Sequence, residues 1–367
     1  MAAAGDAAAR LATLAQATVD AADRLAVFLV FDRPSRVAER PGLSRAYFAE
    51  RCASDRYLAE FIEALRSVGA YVQLVEGETE LVAALASGRL QAVRKPLKLV
   101  YNGVEGGVTL DGFKPGRKAL VPTLADAYGL PCANSDGYAC AIGRHKYHYF
   151  TLMRSLGLPA PEVWHYRPDR GWAGDHAPPT GRKVIAKSTY ESWSVGVSDD
   201  SVFVVDEWCT PRVHAVAEQI GQAVTVQEFV SGPEVKVPVF SDPVPFGTTP
   251  VEVILAKAPG DPDAITTFHD NVTGSAIRFR PFPSEPAIIG RLEHTASRVF
   301  DVLQLSGFAR IDFRVDAEGR EWVTDVGVSP WLSVDDSAMA SVAELGLDHP
   351  AFLRAVVGAS LVSHGML

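Results

Sequence analysis

Residues 307–330, GFARIDFRVDAEGREWVTDVGVSP, decide how the rest of the chain is read. Ile311, Phe313 and Val315 alternate with Arg310, Asp312 and Arg314, the period of a half-buried strand. Asp316-Ala317-Glu318-Gly319 is turn material, and Arg320 to Val326 returns as a second strand. A register that pairs Val315 with Arg320 sets Arg310 opposite Asp325, with Asp312 as the diagonal neighbour on the same face. Diagonal neighbours sit roughly 7–8 Å apart at Cα, so both acids can reach one cation. Hard carboxylate oxygens suit Mg2+, which takes one or two carboxylates together with substrate phosphates. The pattern fits equally a hairpin face that carries its charges to solvent, and residues outside the hairpin have to decide.

At 367 residues the chain has room for about two or three domains, each with its own core. A net charge of −9 with no offsetting basic cluster argues against a nucleic-acid partner. Cys52, Cys132, Cys140 and Cys209 form no C-x-x-C pair and read as reduced thiols of a cytoplasmic protein. Residues 1–24 are Ala-rich, but Asp6, Arg10, Asp20, Asp23 and Arg24 interrupt any signal-peptide core, which leaves an N-terminal helix or a partly frayed leader. Leu25 to Phe31 is an apolar run far too short to cross a membrane and reads as a buried strand.

Along the chain the pattern predicts a strand at 25–31, a helix at 54–68, a strand at 72–75, a helix at 79–87 and a strand at 98–101. That alternation marks an α/β layer with a parallel sheet. A Gly-rich stretch (102–117) and a helix at 118–129 follow. GRHKYHYFTLMRSL (143–156) reads as one helix stopping at Gly157, with Pro159 and Pro161 beyond it. Residues 167–182 and 241–263 read as Pro/Gly-rich excursions, giving blocks at 1–141, 142–231 and 232–367.

Three further features carry chemistry. Lys187 ends the strand KVIAK and opens the loop STYESWSVGVSDD, where Ser192, Ser194 and Gly196 allow phosphate to approach the backbone. Lys146, near a helix start, can reach a nucleotide; His145 and His148 beside it read as surface histidines. In TVQEFVSGPE a strand runs into Ser231-Gly232-Pro233, leaving main-chain groups that can read an adenine edge and fixing Glu234 where it can accept from ribose hydroxyls. Each taken alone also fits an ordinary surface loop, side chain or turn.

Their order resembles that of the ATP-grasp enzymes, and most closely the D-alanine–D-alanine ligase branch, from about Leu99 to Val357. RKALVPTLADAYGLPCANSD resembles that branch's substrate-side helix and strand, HKYHYFTLMRSLGLP its lysine helix, IAKSTYESWSVGVS its phosphate loop and QEFVSGPE its adenine hinge. The resemblance implies three α/β domains with ATP between the second and third. It implies Lys146 and Lys187 on the phosphates, main-chain groups of Glu228 and Val230 on adenine, and Glu234 on ribose. Asp312 and Asp325 are the implied ligands of Mg2+, with Mn2+ as a substitute, and Arg310 and Ser194 the implied catalytic residues. The implied reaction joins a small-molecule carboxylate to an amine through an acyl phosphate, releasing ADP, beneath a lid formed by residues 188–200. A homodimer is suggested by the resemblance only.

The chain also departs from the branch. Its metal-binding Glu and following Asn correspond to Asp325 and Gly327, and Trp193 replaces the middle serine of the phosphate loop, where it can wall off the substrate pocket. The third-domain Lys-Tyr pair has no counterpart in FHDNVTGSAIRF, leaving Arg278 or Lys257 to carry that charge. In WLSVDDS (331–337), where the branch seats the second substrate's carboxylate, Asp335 and Asp336 would repel it or else cap the following helix. The expectation is a carboxylate–amine ligase with an unusual acceptor. The alternative is a non-catalytic relative that binds nucleotide as a regulatory subunit. Glu39, in FDRPSRVAERPGLS, is a candidate for a substrate ammonium.

Overall fold

β1 (Leu25–Phe31), β2 (Tyr71–Glu76) and β3 (Leu97–Asn102) form a parallel sheet in the order β2-β1-β3. Every residue of the central strand LAVFLVF is buried, as a strand covered on both faces requires. The crossovers are the helices Asp55–Arg66, capped by Ser54, and Gly77–Ala86. This is the α/β layer that the alternating pattern predicts. The computed structural model describes residues 2–33, 52–104, 116–273 and 277–367, so Glu39 and most of 102–117 lie outside the described residues.

The N-terminal helix (Ala2–Ala21) contributes to the core. Leu11, Leu14 and Thr18 are fully buried, and the helix packs along the C-terminal helix His349–Ser363. The two backbones approach closely: a Cβ on Gly358 would lie 2.0 Å from the Leu14 carbonyl oxygen. Arg10 reaches further, donating to the carbonyls of Asp242 and Val244. One apolar cluster therefore unites the first sheet with Phe240, Phe308 and Phe352 from the later part of the chain.

The middle of the chain builds an antiparallel sheet from β4 (Val163–Arg167), β5 (Gly171–Trp172), β6 (Lys183–Ser188), β7 (Val202–Val204) and β8 (Val224–Glu228), in the order β5-β4-β8-β6-β7. A six-stranded sheet follows: β9 (Glu234–Asp242), β10 (Val244–Gly247), β11 (Val251–Leu255), β12 (Ile277–Pro281), β13 (Phe308–Val315) and β14 (Glu321–Gly327). β10 and β11 correct the expected excursion at 241–263. Pro243, Pro245 and Pro250 mask the strand pattern there; β10 pairs only with β9, and such an edge tolerates a missing N–H. The excursion at 167–182 likewise contains β5.

The single helix expected at 143–156 is two, Gly137–Arg144 and Lys146–Ser155. His145 breaks them with φ −94° and ψ 91°, and its Nδ1 caps the second helix by accepting from the His148 N–H. It is not a surface residue: His145 is buried, its ring stacked on His148 at 3.5 Å, and burial with that neighbour pushes its pKa down to about 3.

Candidate active site

The hairpin β13–β14 has a different register from the one expected. Val315 pairs with Glu321 and Phe313 with Val323, but Asp312 then pairs with Asp325 and Arg310 with Gly327. Thr324 is an extra residue on β14, a bulge. Val323 packs in the core; without the bulge, alternation would send Asp325 to that same buried face. The bulge turns Asp325 to the other face, directly opposite Asp312 rather than diagonal to it. The two carboxylates thus share one face, as expected, through a pairing the sequence pattern did not show.

That face floors a cleft whose lining includes Lys146, Lys187, Trp193, Ser194, Glu228, Val230, Glu234, Arg310, Asp312, Asp325 and Asp336. Asp335 is absent from it and is exposed. The reading in which the hairpin simply shows its charges to solvent fails, because Asp312 is buried and Arg310 is largely so.

Lys146 enters from the first turn of its helix, with Nζ 2.6 Å from the Glu191 carbonyl and 3.6 Å from Asp325. Lys187, at the end of β6, donates to the Thr324 carbonyl at 3.1 Å. Burial pushes the Lys187 pKa down to about 8 and lowers that of Lys146. Burial alone would raise the Asp325 carboxyl, but Lys146 and Lys187 outweigh it and hold it well below the usual range. Tyr149 also donates to Asp325 Oδ1, at 2.6 Å. Arg310 grips Asp312 with two bonds of 2.7 and 3.0 Å and lies 3.6 Å from Asp336. Asp336 also caps the helix Ser337–Ala343, the structural part foreseen for this segment.

The loop after β6 is held in an uncommon conformation. Trp193 and Ser194 both have positive φ, 59° and 57°, which is strained for side chains of this kind. Asn271 secures the pair by donating to the Trp193 carbonyl at 3.1 Å and to Ser194 Oγ at 3.2 Å. The Trp193 ring lines the cleft and meets Phe268 edge-on.

Two cations went unnoticed in the sequence. Arg314 ties down the hinge by donating to the carbonyls of Val230, Gly232, Pro262 and Ala264. Gly232 has φ 142°, and a Cβ there would lie 1.9 Å from the Val315 carbonyl oxygen, so the hinge requires glycine. Lys236 follows Glu234 by two residues on β9 and therefore shares its face; that period-2 spacing was the available signal. Its Nζ lies 3.0 Å from Glu234 and 3.1 Å from Asp312. Lys257 instead pairs with Asp199 and Asp270, and neither it nor the exposed Arg278 is among the described lining residues.

Among the described residues no group of three or more His, Cys, Asp and Glu side chains could hold a metal. Two facing carboxylates still fit a divalent cation whose remaining ligands come from substrate phosphates, since hard oxygen donors are what Mg2+ takes. Asp325 Oδ2 has no partner among the described residues and is available for this. No helix among the described residues is long and apolar enough to cross a membrane.

A family model described as the D-ala D-ala ligase C-terminus matches residues 153–357. A D-alanine–D-alanine ligase of Synechococcus sp. (strain JA-2-3B'a(2-13)) is 27% identical over 237 residues, 63% of this chain and 68% of that protein. Two crystal structures share the fold. The D-alanine–D-alanine ligase of Bacillus anthracis complexed with ATP has a TM-score of 0.66 at 14% identity, over 94% of this chain and 100% of that one. The VanG D-Ala:D-Ser ligase of Enterococcus faecalis has a TM-score of 0.64 at 13% identity, over 92% and 99%. With the family model spanning more than half of its length, and the cleft assembled from the motifs in order, the chain belongs to the D-alanine–D-alanine ligase family of ATP-grasp proteins.

Proposed function

We propose that the protein is an ADP-forming carboxylate–amine ligase acting on small molecules in the cytoplasm, with an acceptor that is not held by a carboxylate. The observation that carries this reading is the convergence of Lys146, Lys187 and Arg310 with the paired Asp312 and Asp325 in one cleft. A site retired from catalysis would have no need to keep those cations and carboxylates together, and nothing in the cleft favours the regulatory alternative.

In this reading Glu228 and Val230 offer main-chain groups to adenine, and Glu234 accepts from ribose. Lys146 and Lys187 hold the phosphates, while Asp312 and Asp325 hold Mg2+ or Mn2+, which supplies charge neutralisation at the phosphates. A substrate carboxylate oxygen attacks the γ-phosphorus; the new O–P bond forms as the bond to ADP breaks. The acceptor nitrogen then attacks the acyl carbon, the C–N bond forms, phosphate leaves and the amine gives up a proton. Arg310 stabilises the oxyanion of that tetrahedral step, and Ser194 and Trp193, on the 188–200 loop, close the cleft so that water does not take the acyl phosphate.

Asp336 sets the acceptor. It lies beside Arg310 on the cleft wall, where a substrate carboxylate would meet its negative charge. A cationic, amide-capped or larger amine fits this wall better. The test is ADP release from Mg-ATP across pooled carboxylic acids and amines, with mass spectrometry of each active pool and Asp312→Asn as control. Release that needs both pools and yields an amide mass is expected; nucleotide binding with no turnover in any pool would bring the regulatory reading forward.

A further inference from the structure

Lys236 stands inside the charged face of the cleft with two carboxylates on its ammonium, Glu234 at 3.0 Å and Asp312 at 3.1 Å. It faces Asp312 across the β9–β13 ladder, so its position is set by strand register rather than by a mobile loop. Only 13% of its side chain is exposed, which makes the paired ammonium a fixed charge of the site. Asp312 has both oxygens engaged: Arg310 donates to each, and Lys236 shares Oδ2. Lys236, Arg310 and Arg314 thus match Glu234, Asp312 and Asp325 in number on this sheet face.

The second observation is at Gly327, opposite Arg310 on β14. A Cβ there would find its nearest atoms at 3.5–3.7 Å, ordinary van der Waals contact, and the backbone has no positive φ. A donor side chain would fit, yet none is present. One carboxylate is already matched by fixed cations, and the place for a further donor holds only hydrogen.

We propose that the Lys236 ammonium takes the place of a second divalent cation, so that the protein binds nucleotide with a single metal ion. This rests on the nucleotide-binding reading of the cleft. A lysine in that place fixes one positive charge permanently beside the nucleotide, where a second ion would have to be acquired with each turnover.

The experiment counts Mn2+ by electron paramagnetic resonance in the protein saturated with a non-hydrolysable ATP analogue. The wild type is expected to hold one Mn2+ per bound analogue, and Gly327→Asn alone also one. Lys236→Met combined with Gly327→Asn, which removes the ammonium from beside Asp312 Oδ2 and adds a donor, is expected to hold two. Two ions in the wild type or in Gly327→Asn, or one in the double variant with analogue still bound, would overturn the inference and leave the ligase reading standing. Failure of the wild type to bind the analogue would overturn both.

Discussion

The ammonium of Lys187 donates to the carbonyl of Thr324, the one residue of β14 that the hairpin register leaves without a partner. The bulge that turns Asp325 into the cleft therefore also presents a backbone carbonyl to the lysine. Two central features of the site, Lys187 and the carboxylate pair, are coupled through one irregular residue.

Nucleotide affinity should follow the charge on Lys187. Burial pushes its pKa down to about 8 in the folded protein against an ordinary 10.5, so the ammonium loses its proton from about pH 8 upward. Affinity for a non-hydrolysable ATP analogue should fall by up to about tenfold per pH unit above 8. Lys187→Arg, which stays charged, should flatten that decline. Stability without nucleotide should move the other way: between about 8 and 10.5 the unfolded chain holds the proton that the folded one has released, so this group adds stability as pH rises. Calorimetric titration and thermal melting over that range would separate the two trends; affinity flat to pH 10 in the wild type would remove Lys187 from phosphate binding.

Replacing Asp336 by serine keeps a helix-capping side chain and removes the charge beside Arg310. A unit charge at about 4 Å is worth roughly 1–4 kcal/mol depending on the local dielectric. Acceptors bearing a carboxylate should therefore gain about tenfold or more in kcat/KM with Asp336→Ser. Asp335→Ser should leave acceptor choice unchanged, because Asp335 is exposed and is not among the lining residues. Equal acceptor profiles for Asp336→Ser and the wild type would dismiss the selectivity role.

The join between the two ends of the chain is testable through glycine. Gly358→Ala puts a methyl group against the Leu14 carbonyl and should cost about 1–3 kcal/mol as the helices are forced apart. Gly290→Ala is the matching control: the position is exposed in the helix Pro286–Val302 with nothing within 4 Å, so alanine should add up to about 1 kcal/mol. A Gly358→Ala protein as stable as the wild type to heat and denaturant would show that this contact does not hold the helices.

The sequence by itself determined the local structure and the cast of the site. Period-2 and period-3.6 patterns located the first parallel sheet, the hairpin and the lysine helix, because burial on one face imposes those periods directly. Lys146, Lys187, Glu234, Arg310, Asp312 and Asp325 were legible because each stands at a strand end, a turn or an alternating position. Only the tertiary structure decided how these meet. The Thr324 bulge obeys no period, so the true pairing of Asp312 with Asp325 was hidden. His145 broke a pattern that reads as one helix because a side chain supplied the cap. The Ala-rich N-terminal stretch read as a helix or a partly frayed leader, and its packing along the C-terminal helix, 336 residues away at the Thr18–Arg354 hydrogen bond, was not visible in the sequence. Lys236 acquired meaning only when β9 was laid beside β13, since a pattern local in sequence does not specify which strands become neighbours.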